Sequence, residues 1–382
     1  MNPLIQRAMG AIALSLSLLL TGCSGNLPVT TGSASSVAAG ATDGSTATPA
    51  SAATEAAIAA ESGANADAVS VEPVSGTGAS YPVVIPHAFG ETVLQRQPER
   101  IATIAWGNHD VPLALGIVPV GISKANYGVT DGSGLLPWTS AGYRALGVEN
   151  PVLFDDVAGL DFEAISAAKP DVILAAYSGI TKEEYELLSQ IAPVVAYPAN
   201  PWQTYWRDQI VLDATGMGRK TEGEALVAGL EALIDRKTAA HPVLAGKSAV
   251  FLYFNPASLG KFYVYMPEDP RAAYLTDLGM TVPDSVKALA EQTDSFALEI
   301  SAEQADRLSD ADLIITYGTP ELLPLLQADA LLGTIPAIRR GSVAVIADAT
   351  PLAASGTPSA LSIPATIDEY LTLLSAAAAA GT

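Results

Sequence analysis

Six side chains stand in segments that follow predicted strands: Trp106, Trp138, Arg144, Tyr177, Tyr253 and Arg271. In an open α/β sheet, ligands sit beyond the carboxyl ends of the strands. Trp and Tyr rings stack on flat groups, and an arginine fork neutralises negative charge with directional hydrogen bonds. The whole chain is only 6% aromatic, so the segments are enriched. The chemistry such a set can do is ligand capture. Neighbouring residues Lys124, Tyr127, Asn255, Lys261, Tyr263 and Tyr317 belong to the same segments.

Motifs for catalysis are absent. Gly246-Lys247-Ser248 has His241 where a phosphate loop needs its first glycine, and it precedes a strand instead of following one. Gly216-Met217-Gly218 has Thr221 where a dinucleotide fingerprint needs its third glycine. There is no Gly-x-Ser-x-Gly elbow and no His-Glu-x-x-His. No catalytic residue is assigned, and the chain does not read as an enzyme. Cys23 is the single cysteine, which excludes an internal disulfide and a cysteine-based zinc site. His87, His109 and His241 are scattered, so no metal site is assigned. His109 is either a haem-iron ligand facing a cleft or a polar residue at a helix start. His87 reads as structural.

The segments that must position the six residues begin late in the chain of 382 residues. Residues 1–22 read as a secretory signal, with Arg7 before an apolar run too short to span a bilayer. Leu20-Thr21-Gly22-Cys23 resembles the bacterial lipobox, which implies that Cys23 is lipidated and becomes the new N-terminus. Residues 24–80 carry no Lys, Arg or aromatic residue, and 23–80 is expected to be a lipidated cysteine followed by a disordered tether. As a flexible coil it would span roughly 40 Å. The net charge of −21 argues against a nucleic-acid partner.

From residue 81, apolar β-rich runs alternate with helical patterns, as in βαβ units. Strands are expected at 100–105, 118–122, 172–175, 194–197, 249–254, 262–265, 313–316 and 343–346. Helices are expected at 110–115, 162–168, 182–190, 272–278, 302–308, 321–326 and 364–379. Residues 219–240 hold no proline and keep Ala225, Leu226, Leu230, Leu233 and Ile234 at helical spacing, which predicts one long helix.

Pro98-Glu99-Arg100-Ile101-Ala102-Thr103-Ile104, followed by the run from Leu113 to Gly121, resembles the opening of the helical-backbone periplasmic binding proteins for iron–siderophores, haem and cobalamin. Lys169-Pro170-Asp171-Val172-Ile173 and Asp310-Ala311-Asp312-Leu313-Ile314 are similar to that family's third-strand motif and its C-lobe counterpart. The order and spacing of these motifs cover about residues 85–375. The resemblance implies two Rossmann-like α/β lobes with central, mostly parallel sheets, 81–218 and 242–382, joined by a single long helix, 219–241. It implies the substrate-binding component of an ABC importer, a monomer anchored outside the bacterial membrane, capturing a ferric siderophore between its lobes. Haem or cobalamin is the alternative ligand, and a tethered surface sensor or an enzyme the remoter reading. In that family an acidic residue on each lobe docks to arginines of the permease dimer, a role that falls on Glu163 and Glu303. The aromatics of Trp202-Gln203-Thr204-Tyr205-Trp206-Arg207 read as packing where the chain crosses between lobes.

Overall fold

The computed structural model describes residues 79–380. The signal 1–22, Cys23 and the tether up to residue 78 lie outside the described residues. Strands β1 (Val83–His87) and β2 (Gly90–Leu94) form an antiparallel hairpin. The first sheet contains β3 (Ile101–Thr103), β4 (Gly121–Ser123), β5 (Leu153–Phe154), β6 (Val172–Ala175) and β7 (Val194–Ala196). Its order is β5-β4-β3-β6-β7, with every pair parallel. The second sheet contains β8 (Ala249–Phe254), β9 (Lys261–Tyr265), β10 (Ala297–Ser301), β11 (Leu313–Gly318) and β12 (Val343–Ala347), in the order β10-β9-β8-β11-β12.

The second sheet departs from a parallel plan on one side. β9 is antiparallel to β8 and β10, whereas β8, β11 and β12 are parallel. The link from β8 to β9 is too short for a crossover, so the chain must turn back. The strand expected at 118–122 begins only at Gly121. Val118 is 41% exposed, and Pro119 has no N–H to give to a ladder.

The first sheet is dressed by α1 (Asp110–Ala114), α2 (Pro137–Ala145), α3 (Phe162–Ala167), α4 (Lys182–Leu188) and α5 (Trp206–Gly216). The long helix α6 (Lys220–Thr238) follows. The second sheet carries α7 (Pro270–Asp277), α8 (Asp284–Ala290), a 3-10 turn at Ala302–Leu308, α9 (Leu322–Ala328), α10 (Pro336–Arg340), α11 (Pro351–Ala354) and α12 (Ser362–Ala379).

Helix α6 buries Gly223, Leu226, Leu230, Leu233 and Ile234 along one stripe, as the periodicity predicts. Each of its buried leucines contributes about 2 kcal/mol of apolar burial. Gly223 lets α6 approach α5: a Cβ there would stand 2.4 Å from the Ala214 Cβ. One hydrophobic cluster runs from Ile101, Val172 and Val195 of the first sheet, through α5, α6 and α12, to Phe251, Leu313 and Ile346 of the second. The two lobes therefore share a continuous core. The outer faces have their own clusters, around Ile173 and Val194 in the first lobe and around Val250 and Ile314 in the second.

Candidate functional site

The chain leaves β3 towards β4 and leaves its other neighbour β6 towards β7, so the two connections diverge at the carboxyl ends of β3 and β6. That is the topological switch point where open sheets bind ligands. The chain leaves β3 through Ala105 and Gly107, both at positive φ (60° and 72°). Between them Trp106 is half-buried against Leu136, Trp138 and Ala354. Trp138, in the first turn of α2, is 7% exposed, and its Nε1 donates to Asp110 Oδ2 at 3.1 Å. Asp110 also accepts from Thr139 Oγ1 at 3.2 Å and from the Ser359 hydroxyl. Burial pushes the Asp110 carboxyl up, opposed by His109 and these donors.

His109 caps α1 and is buried. Its Nε2 lies 3.2 Å from Thr139 Oγ1 and 3.4 Å from Asp110 Oδ1, and its Nδ1 is enclosed without a partner. Burial pushes its pKa down against the pull of Asp110. It takes the helix-start role, and its ring is not open to a haem iron.

Tyr177 follows β6, is 5% exposed and meets Trp202 edge to face at 5.4 Å. Trp202 has φ 61°, and its ring packs against Gly179, where a Cβ would stand 2.1 Å from Nε1. From the second lobe, Arg271 at the start of α7 sits 4.1 Å over the Tyr265 ring. Its Nε and Nη2 donate to Asp269 Oδ1 and Oδ2 at 2.8 and 2.5 Å. Burial alone would lower the pKa of Arg271, but Asp269 and the Tyr265 and Tyr317 hydroxyls overcome it, so the guanidinium stays charged. Its field reaches Tyr177, Tyr265 and Tyr317, whose hydroxyls burial pushes up, so they remain neutral. Phe296 stacks on Tyr265 at 6.5 Å, and Tyr253 stands 6.3 Å from Tyr263.

Two side chains tie the walls together across the lobes. Tyr127 donates to Asp348 Oδ1 at 2.6 Å and meets Tyr317 edge to face at 6.4 Å. Gln203 Nε2 donates to the Asp294 carbonyl at 2.7 Å. Among the described residues, no group of three or more His, Cys, Asp or Glu is placed to hold a metal ion.

The family model described as periplasmic binding protein matches residues 101–350. The chain belongs to that family. Its similarity to the crystal structure of Streptococcus pneumoniae TIGR4 PiaA in complex with ferrichrome is 55% identity, with a TM-score of 0.77, covering 78% of this chain and 100% of that one. A periplasmic solute binding protein from Mycobacterium smegmatis str. MC2 155 matches at 26% identity and a TM-score of 0.61, over 78% of this chain and 98% of that one. The Fe(3+) dicitrate-binding periplasmic protein FecB of Escherichia coli (strain K12) is 27% identical over 286 residues, 69% of this chain and 84% of its own.

In this periplasmic binding protein, Tyr177 and Arg271 come from different lobes, and the positive charge of Arg271 pulls the Tyr177 pKa down against burial. Trp106 and Trp138 form one aromatic cluster on the first lobe, and Tyr253 packs beside Tyr263 on the second. Arg144 is not brought to them: it is exposed on the last turn of α2 and reaches back to Ser140 Oγ at 3.3 Å. Glu163 opens α3 and Glu303 opens the 3-10 turn, both exposed. β10 runs in the direction of β8, so both residues lie at the carboxyl edge of their sheets. The sequence does not single out Tyr265, Phe296 or Trp202, which the structure places beside Arg271 and Tyr177. Tyr265 ends β9 and Phe296 precedes β10, so neither lies in a segment that follows a predicted strand. Trp202 was read as packing, and only its contact with Tyr177 distinguishes it.

Proposed function

We propose that this periplasmic binding protein is the substrate-binding component of an ABC importer and captures a ferric siderophore between its two sheets. The observation that carries the reading is an aromatic wall with residues from both lobes, in which Arg271 lies 4.1 Å over Tyr265, Tyr177 meets Trp202 edge to face and Tyr127 meets Tyr317 across the lobes. The relatives support it, since PiaA is seen with ferrichrome and FecB is named for Fe(3+) dicitrate. Arg271 is already paired with Asp269, so this part of the cleft carries little net charge. That favours an uncharged ferric hydroxamate over a polyanionic chelate, because an unpaired charge is costly to desolvate. The proposed contacts are Trp106, Tyr177, Tyr253 and Arg271, with Tyr265 and Trp202 added and Trp138 as backing. Arg144 falls outside this set.

Glu163 and Glu303 are proposed to dock to the permease, where exposed carboxylates steer association and pair with arginines. Cys23 is proposed to hold the chain to the outer side of the membrane by its lipid, on the strength of the Leu20-Thr21-Gly22-Cys23 motif. No helix among the described residues is long and apolar enough to cross a membrane. The chain is proposed to act as a monomer without enzymatic activity.

Titration of intrinsic tryptophan fluorescence with ferrichrome, ferric catecholates, ferric dicitrate and haem tests the ligand class. Saturable quenching is expected with ferrichrome at the lowest concentration. No quenching by any iron chelate would overturn the reading.

A further inference from the structure

Beneath Trp106 and Tyr177 lies a buried amide pair that no proposed ligand contact uses. Asn108 is 0% exposed and Gln209, on α5, is 3% exposed. Asn108 Nδ2 donates to the carbonyls of Ile104 at 2.8 Å and Tyr177 at 2.9 Å. Its Oδ1 accepts from the Tyr177 N–H at 3.0 Å and from Gln209 Nε2 at 3.1 Å. Both donors and both lone pairs of the amide are thereby engaged. Gln209 Nε2 spends its second hydrogen on the Trp106 carbonyl at 3.2 Å.

The segment held this way is strained. Ala105 has φ 60°, a region that a residue with a Cβ rarely occupies. Its N–H is fixed by Ser123 Oγ at 2.9 Å. Gly107 is fitted to the clamp, since a Cβ there would meet Gln209 Nε2 at 3.3 Å and Ser359 Cβ at 3.4 Å. A ligand-facing turn in such a conformation persists only when its surroundings hold it. Of the holders, Gln209 sits on α5, which packs against the long helix α6 through Gly223 and Ala214.

We propose that Asn108 and Gln209 are positioning residues that fix the main chain of Trp106 and Tyr177, so that the aromatic wall of the first lobe is preformed before ligand arrives. The inference rests on the reading of the cleft as the siderophore site. Asn108 joins the ends of β3 and β6 as a strand pair would, and Gln209 locks that junction to the helix shared with the second lobe. Preorganisation of this kind lowers the cost of ordering side chains on binding.

The test uses Gln209→Met, which keeps the volume and removes both donors, with ferrichrome as the probe. Losing these two bonds behind a binding wall is expected to raise the Kd about tenfold. In a Trp106→Ala background the same substitution is expected to cost roughly threefold or less, because the wall it positions is gone. In the ligand-free protein labelled with fluorotryptophan, the Trp106 resonance is expected to broaden or shift in Gln209→Met, while that of Trp206 keeps its position. Should Gln209→Met fail to fold, Gly107→Ala displaces the same turn and carries the same comparison. An unchanged Kd, or an equal loss in the Trp106→Ala background, overturns the positioning role. Trp106→Ala and Arg271→Ala separate this failure from that of the cleft reading. If neither weakens ferrichrome binding, the cleft itself is misassigned.

Discussion

At the residue scale the decisive pair is Arg271 with Asp269. Asp269 is fully buried and Arg271 is 14% exposed. Removing one member leaves the other as an uncompensated interior charge, which costs about 3–5 kcal/mol. Arg271→Met is therefore expected to lower the thermal midpoint and to weaken siderophore binding. Adding Asp269→Asn to it is expected to recover much of the stability and none of the binding. Calorimetric unfolding together with ferrichrome titration checks both halves, and equal recovery of both would deny Arg271 a ligand role. Arg271 was legible in the sequence because it follows an aromatic strand, but its partner was not. An aspartate two residues earlier reads as a helix cap, and Asp269 is one, accepting from the Arg271 N–H at 2.8 Å. Arg144 shows the opposite case. Its position after β4 satisfied the same rule, but it lies on the outward side of α2, where the ring of Tyr143, 1% exposed, takes the inner place.

At the element scale, α5 is the longest of the helices that periodicity does not predict; α2, α8, α10 and α11 are the others. The buried face of α5 carries Gln209 and Asp213 among Trp206, Ile210 and Ala214, so the apolar stripe is interrupted. Asp213 is 0% exposed, and neither carboxyl oxygen has a hydrogen-bond partner of good geometry, although the Ala176 N–H lies near enough to favour the ion slightly. Burial pushes its pKa well above the usual carboxylate range. A raised acid pKa in the folded state means its stabilising contribution is complete below about pH 4 and is lost as pH rises through the folded value. Asp213→Asn removes that loss. The unfolding midpoint of the natural chain is expected to fall below that of Asp213→Asn progressively above pH 4, with the gap widest at alkaline pH. A gap independent of pH would mean that the carboxyl does not titrate in the interior. By contrast, α6 was legible because its leucines repeat at a spacing that only a helix turns to one side.

At the scale of the whole molecule, the continuous core through α5, α6 and α12 ties the lobes to one helical spine. Salt bridges reinforce it: Arg207 contacts Glu231 at 2.6 Å and Asp277 at 2.9 Å, joining α5, α6 and α7. Such a spine bends less freely than paired strands, so recognition by the permease must read features present in both states. Glu163 and Glu303, exposed at corresponding edges of the two sheets, are the features proposed for that role. Reversing both, Glu163→Lys with Glu303→Lys, is expected to abolish radiolabelled iron uptake while leaving the ferrichrome Kd within about twofold, as rim charges far from a cleft contribute little to it. Undiminished uptake would sink the docking role.

The alternation of strands and helices and the long helix were written along the chain. Each depends on spacing over a few residues, which the backbone geometry of strands and helices makes readable. The convergence of Tyr177 with Arg271, the burial of His109, the bracing of Trp106 by Gln209 and the outward turn of Arg144 were decided by tertiary structure. Those contacts join positions tens to a hundred residues apart, or choose which side of a helix faces inward. Local spacing carries no record of either, because they are set by how two sheets close against a shared core.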